Sequence, residues 1–448
     1  MKTYILPVIV MFLSTTAAAQ VRIKPLPRVG FEKRITDFID SMKVVDTHEH
    51  LLSPEELKKR TALDFMVLLQ HYSADDLRSA GLSNKTFKQL LKDSLTVNQK
   101  WQIVKPFWEG SKNTAYNRVA LLAADKLFDV KDINGSTVKE LSEKIKKAYQ
   151  SDWITEVLDK SKIEYVVQMN PGRAVKDKRF RDVIWFDNFV SISSKERINS
   201  IAKQRKVNIN SLDEYINALD ETFKEARQQG IIAVKSALAY YRTIYYEDVR
   251  KEKASEVFKL LMSRDDEKPL PFDEVKPLQD YVMHRVLDFC IKYKVPVIFH
   301  TGLQSGKGNQ IENSNPTLLV NLFKEYPDLN FILLHGGYPY GGELATTAKY
   351  FRNVYIDLAW IYVISPSFSE RYLHEWLEMV PVSKIMAFGG DYLNVENTYG
   401  HLLFAKQIIS RVLVDKVKTG YFSESEAKDI ALMILHDNAI RIYGIPLK

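Results

Sequence analysis

The stretch VPVIFHTGLQSGKGNQIENSNPTLLVNLFKEYPDLNFILLH, residues 295–335, opens and closes on short apolar runs, VPVIFH (295–300) and FILLH (331–335), each ending in histidine. Runs of this length, rich in β-branched and aromatic residues and separated by helix-length stretches, read as buried parallel strands joined by helical crossovers. The alternation extends in both directions. Upstream stand IEYVVQM (163–169), VIWFDNFV (183–190) and IIAVKSAL (231–238); downstream stand VYIDLAW (354–360) and KIMAFGGD (384–391). An earlier run, KVVDTHEH (43–50), makes eight. Eight such units predict an α/β chain closed into a (β/α)8 TIM barrel, with helices following the last strand in DNAIRIYGI.

The first run is separated from the second by about 110 residues of helical patterning, roughly 52–160, which read as an insertion over the barrel mouth bringing Trp101, Phe107 and Trp108 to it. A smaller elaboration, roughly 239–275, follows the fourth run. The chain opens on MKTYILPVIVMFLSTTAAA (1–19), a basic residue, an apolar run and three alanines. That pattern predicts a secretory leader cleaved near Ala19/Gln20, export to the periplasm or beyond, and one mature domain over 20–448. No other segment reaches the roughly 20 apolar residues of a membrane anchor.

Of 448 residues, 46% are hydrophobic and 27% charged, enough apolar material for a large core. The net charge of +7 is spread over mixed-sign helical runs such as KEKASEVFK, which argues against a nucleic-acid surface. Cys290 is the only cysteine, so no disulfide can form within the chain; in HRVLDFCIKYK it reads as a buried helix residue. GLQSGKGN lacks the spacing of a phosphate-binding P-loop, and THEHLL lacks the HExxH of helical zinc proteases.

Barrel enzymes place their catalytic groups at the C-terminal ends of strands. Here His48 and His50 end the first run, Lys235 lies toward the end of the fourth, and His300, His335 and Asp391 close the fifth, sixth and eighth. Four of nine histidines therefore fall at strand ends. Spacing two apart puts His48 and His50 on one face, and imidazole nitrogens with a carboxylate suit a divalent first-row metal. Zinc is the first choice, with manganese, iron and nickel compatible with the same donors. One or two ions fit.

The runs VVDTHEHL, FHTGLQSGKGN, HGGYPYGGELA, NVYIDLAW, FGGDY and HDNAIRIYGI resemble the amidohydrolase superfamily, and within it the amidohydrolase-2 family. The resemblance implies that His48, His50 and Asp391 bind metal, and that His300 is a fourth ligand or part of a second site. His335 would contact the activated water or hold that second ion. Lys235 is open between a carbamylated bridge between two ions, a contact to substrate or water, and a structural ion pair.

The implied activity is hydrolysis of a C–N or C–O bond in a small amide, lactone or ester bearing a carboxylate, with Asp391 as proton carrier and His335 and Lys235 as partners. Arg242 and Arg173 are candidates for the substrate carboxylate, each set against an ion-paired role. Tyr338, with Tyr340, is a pocket candidate, as are Trp185 and Trp360. Two alternatives stand beside hydrolysis: a metal-dependent decarboxylase and a non-catalytic binding protein. A homo-oligomer is compatible with the sequence.

Overall fold

The computed structural model describes residues 30–170, 172, 177–264, 268–306 and 309–446, so the leader expected over 1–19 and Arg173 lie outside the described residues. Among those residues eight parallel strands run in the order of the chain: β1 (Val44–Glu49), β2 (Ile163–Gln168), β3 (Phe180–Trp185), β4 (Ala233–Ser236), β5 (Val297–Phe299), β6 (Phe331–Leu333), β7 (Val354–Asp357) and β8 (Ile385–Met386). Each pairs in parallel with the next. Backbone bonds from Thr47 to Phe388, from Asp391 to His48 and from His50 to Tyr392 bridge the first and last strands. The fold is the (β/α)8 barrel expected from the alternation.

Alternation along each strand sorts its residues between two cores. Val45, Val167, Ile298, Ile332 and Met386 point inward, where Ala439, Ile440, Ile442 and Tyr443 of the C-terminal segment plug the base. Val44, Val166, Val297, Phe331, Val354 and Ile385 point outward to the helices. Cys290 is buried in the helix Phe272–Tyr293, as expected.

The third run is divided differently from its apolar reading. β3 begins three residues earlier, at Phe180, and Asp187–Val190 turns into a short helix, because Asp187 spends its carboxylate on the backbone N–H of Ala237. The eighth run keeps ladder pairing only to Met386, and Gly389–Gly390–Asp391 forms a turn beyond it.

Between β1 and β2, helices from Pro54–Arg60 to Trp153–Lys160 build a second hydrophobic core of their own. Trp101 and Trp108 are buried in that core, and the Trp108 indole donates to the Ile133 carbonyl. They do not face the barrel mouth as expected. Burying an indole with its N–H satisfied favours the middle of a helical cluster over a wet rim. Among the side chains the insertion sends to the mouth are His71, Tyr72 and Tyr116.

Candidate metal centre and barrel mouth

Strict alternation from the inward Val45 would turn His48 and His50 away from the barrel interior. The register between β1 and β2 is broken between Asp46 and Glu49, where three steps on β1 span two on β2. This bulge re-aims both imidazoles inward. Asp391 meets them from the turn after β8, on a left-handed backbone with φ 59°. The two preceding glycines permit that turn: a Cβ on Gly389 would lie 2.6 Å from the Ala359 methyl, and one on Gly390 1.8 Å from the Glu49 carboxylate.

Nε2 of His48 and Nε2 of His50 stand 3.3 Å apart. Oδ1 of Asp391 is 3.4 Å from the first and 3.3 Å from the second. Ligand atoms held at about 2.0–2.2 Å by one tetrahedral ion are separated by about 3.4 Å. The three tips therefore fit a single divalent cation, and among the described residues they form the group of His, Cys, Asp or Glu side chains that could hold one. Nδ1 of His50 lies 2.9 Å from Nδ2 of Asn170; rotation of that amide by 180° would present its oxygen to an Nδ1–H and leave the Nε2 lone pair for metal.

His300 and His335 are adjacent to this triangle and are engaged with each other, Nδ1 to Nε2, at 3.0 Å. The outer nitrogens face carbonyls, His300 Nε2 that of Leu303 at 2.8 Å and His335 Nδ1 that of Ala359 at 3.1 Å. His335 Nδ1 also lies 3.7 Å from Oδ2 of Asp391. The structure thus brings His335 beside the free oxygen of Asp391, with His300 behind it.

Burial dominates the electrostatics. It lowers His48 to about 4 against the pull of Asp391, and His300 to about 3 with help from Lys235. Burial, then the neighbouring His300, carries His335 well below the usual imidazole range. Burial raises the Asp391 carboxyl, but the His48 and His50 rings outweigh it and hold the group well below the usual carboxylate range. Neutral imidazoles beside a carboxylate anion are the protonation state a metal needs. Lys235 is 2% exposed, its Nζ has no partner among the described residues, and burial lowers it to about 7 despite Asp391, Asp187 and Asp357.

Aromatic rings surround the histidines. Trp185 lies 6.5 Å from His50, Tyr240 4.6 Å from His300 and Trp360 5.2 Å from His335, centroid to centroid. Tyr72 stacks on Trp360 at 4.5 Å, and His71 sits against Tyr72 and Tyr392. His71, at φ 58°, has a buried Nδ1 without a partner among the described residues. No periodicity singled out His71 or Tyr72, because they stand at the junction between an irregular connection and the short helix Tyr72–Ser79. Their one sequence signal is a histidine beside a tyrosine after the apolar FMVLLQ.

Two expected substrate contacts are placed elsewhere. Arg242 is buried, and its guanidinium binds Asp280 at 2.6 Å, Gln279 at 3.0 Å and the carbonyls of Thr243 and Tyr245. All three of its nitrogens are engaged, Nη2 in a buried ion pair. The Tyr338 ring packs edge-on against Phe368 at 4.7 Å, in the layer of helices. Hollows of about 740 and 830 Å³ lie in the insertion, lined by Lys58, Asp64 and Glu143 in one and Lys126, Lys144 and Glu156 in the other, apart from the histidine cluster.

The rim of the parallel barrel gathers an HxH pair, two further histidines and an aspartate. Residues 243–445 match the family model described as Amidohydrolase, a span that carries His300, His335 and Asp391. That match, on this fold, bears out the resemblance to the amidohydrolase superfamily. The chain is similar to protein fluG of Emericella nidulans, 32% identical over 181 residues, 39% of this chain and 21% of the length of fluG. In fold it is similar to uronate isomerase from Thermotoga maritima, with TM-score 0.77 and 17% identity over 94% of this chain and 98% of that one. It is also similar to a putative metal-dependent hydrolase from Lactobacillus casei, with TM-score 0.65 and 18% identity over 92% and 97% of the two chains.

Proposed function

We propose that the chain is a metal-dependent hydrolase that cleaves a C–N or C–O bond in a small molecule. The observation that carries this reading is the triangle of His48 Nε2, His50 Nε2 and Asp391 Oδ1. His48, His50 and Asp391 would hold a divalent cation there, zinc before manganese, iron or nickel, which when bound would lower the pKa of water from about 15.7 to about 7 and polarise a carbonyl. The remaining steps belong to the protein. Asp391 keeps Oδ2 outside the triangle, toward His335, where it can take a proton from the attacking water and return it to the leaving group. His335, fixed by Ala359 and His300, orients the water or the substrate carbonyl. Lys235, without a partner among the described residues and lowered to about 7, supplies an amine to substrate or takes up carbon dioxide as a carbamate. Trp185, Tyr240, Tyr72 and Trp360 give the substrate an aromatic wall.

A second reading, isomerisation of a sugar acid, is favoured by the likeness in fold to the Thermotoga maritima uronate isomerase, which extends over the helical insertion as well as the barrel. Export of the mature chain after Ala19 is part of the proposal and rests on the leader alone.

Chelator-stripped protein reconstituted with each metal in turn, and offered lactones, amides, esters and uronates, separates the two readings. Hydrolysis predicts acid release that needs metal and falls at least about a hundredfold in Asp391→Asn. Interconversion of a uronate without acid release from any other substrate replaces hydrolysis with the second reading.

A further inference from the structure

Glu49 stands between the two histidines of HEH and has no part in the proposed chemistry. It is fully buried, and its carboxylate is directed to the turn after β8. Oε2 accepts from the Tyr392 N–H at 2.9 Å and from the His50 N–H at 3.2 Å; Oε1 accepts from the Thr398 hydroxyl at 2.7 Å. Other peptide groups next to Asp391 are also tied. The Gly390 N–H donates to Asp46 at 3.1 Å, the Gly390 carbonyl accepts from His401 Nδ1 at 3.0 Å, and the Asp391 N–H donates to the His48 carbonyl at 2.8 Å. Thr398 and His401 lie on the helix Val395–Lys418, which starts just after this turn.

A left-handed backbone at a non-glycine residue persists only where its surroundings hold it. Here the surroundings are these side chains. We propose that Glu49 is a positioning residue for Asp391: with Thr398 and His401 it clamps the Gly390–Tyr392 turn so that the aspartate carboxylate faces His48 and His50. The inference rests on the reading of Asp391 as a metal ligand. It gives the central residue of HEH a role distinct from coordination, since Glu49 holds the backbone of one ligand while its own strand supplies the other two.

The test is made on the purified chain loaded with cobalt(II), whose visible absorption reports ligand geometry, with affinity measured by chelator competition and folding by circular dichroism. Glu49→Leu is expected to lower cobalt affinity about 10- to 100-fold and to shift the visible bands. Thr398→Val, nearly isosteric, moves both in the same direction by a smaller factor. Glu49→Gln keeps an acceptor for the Tyr392 N–H and restores affinity to within about threefold of the parent. Unchanged bands and affinity in folded Glu49→Leu overturn the proposal, and if that variant does not fold, the same result in Thr398→Val does so. A parent chain that binds no cobalt removes the metal reading first and this inference with it.

Discussion

Lys235 is a residue the barrel interior tolerates poorly. Its amine is sealed from water, and burial lowers it from 10.5 to about 7. A base with a depressed folded pKa disfavours the proton that the unfolded chain accepts. As pH falls from about 10.5 toward 7 the unfolded state therefore gains a proton first, the metal-free fold loses stability across that window, and the loss levels off below it. Lys235→Met removes this cost. The variant is expected to be more stable than the parent at pH 6, by a few kcal/mol and about 5 at most, with the gap closing toward pH 10. Urea unfolding of the metal-free proteins at several pH values checks it, and equal stabilities throughout would show that the amine is already neutralised by another group. Such a gain alongside lost activity marks a side chain kept for chemistry. His48, His50, Lys235, His300, His335 and Asp391 were all legible as strand-end residues. Arg242 stays open in the sequence between substrate and ion pair, because an arginine after a strand looks alike whether it meets a substrate or, as here, a buried Asp280 supplied from 38 residues onward.

Among the elements, the insertion shows how a sequence can reveal a segment without revealing what it presents. Its helices were visible as amphipathic repeats, and their tryptophans looked like mouth residues by size alone. Their burial in a separate core follows from contacts among helices that periodicity does not order. The same limit applies to β1: a bulge that turns His48 and His50 inward has no signature in VVDTHEH, and the right conclusion about their facing rested on simple alternation that the strand itself breaks. The insertion is seated on the barrel through Gly400, whose helix passes so close to Ala115–Phe128 that a Cβ would come within 2.7 Å of the Val119 carbonyl. Gly400→Ala is expected to cost about 1–3 kcal/mol by wedging these helices apart. Because Tyr116 and Val119 share the mouth cluster with Tyr72 and Trp360, KM should rise more than kcat falls. Thermal unfolding and steady-state kinetics on one preparation test this; an unchanged melting temperature and KM would mean the contact relaxes without strain.

Across the whole molecule, the proposed centre lies at the seam of the barrel. Its ligands come from the first strand and from the turn after the last, more than 340 residues apart in sequence, and join where backbone bonds replace a regular ladder. Everything proposed for the chemistry depends on those three side-chain tips sharing one ion. The most direct measurement is an anomalous-difference map from crystals of the zinc-loaded protein, collected on both sides of the zinc absorption edge. A peak is expected at about 2.0–2.2 Å from His48 Nε2, His50 Nε2 and an oxygen of Asp391, missing below the edge. Zinc seated at any other group of residues, with these three tips bonded only to one another, would contradict it.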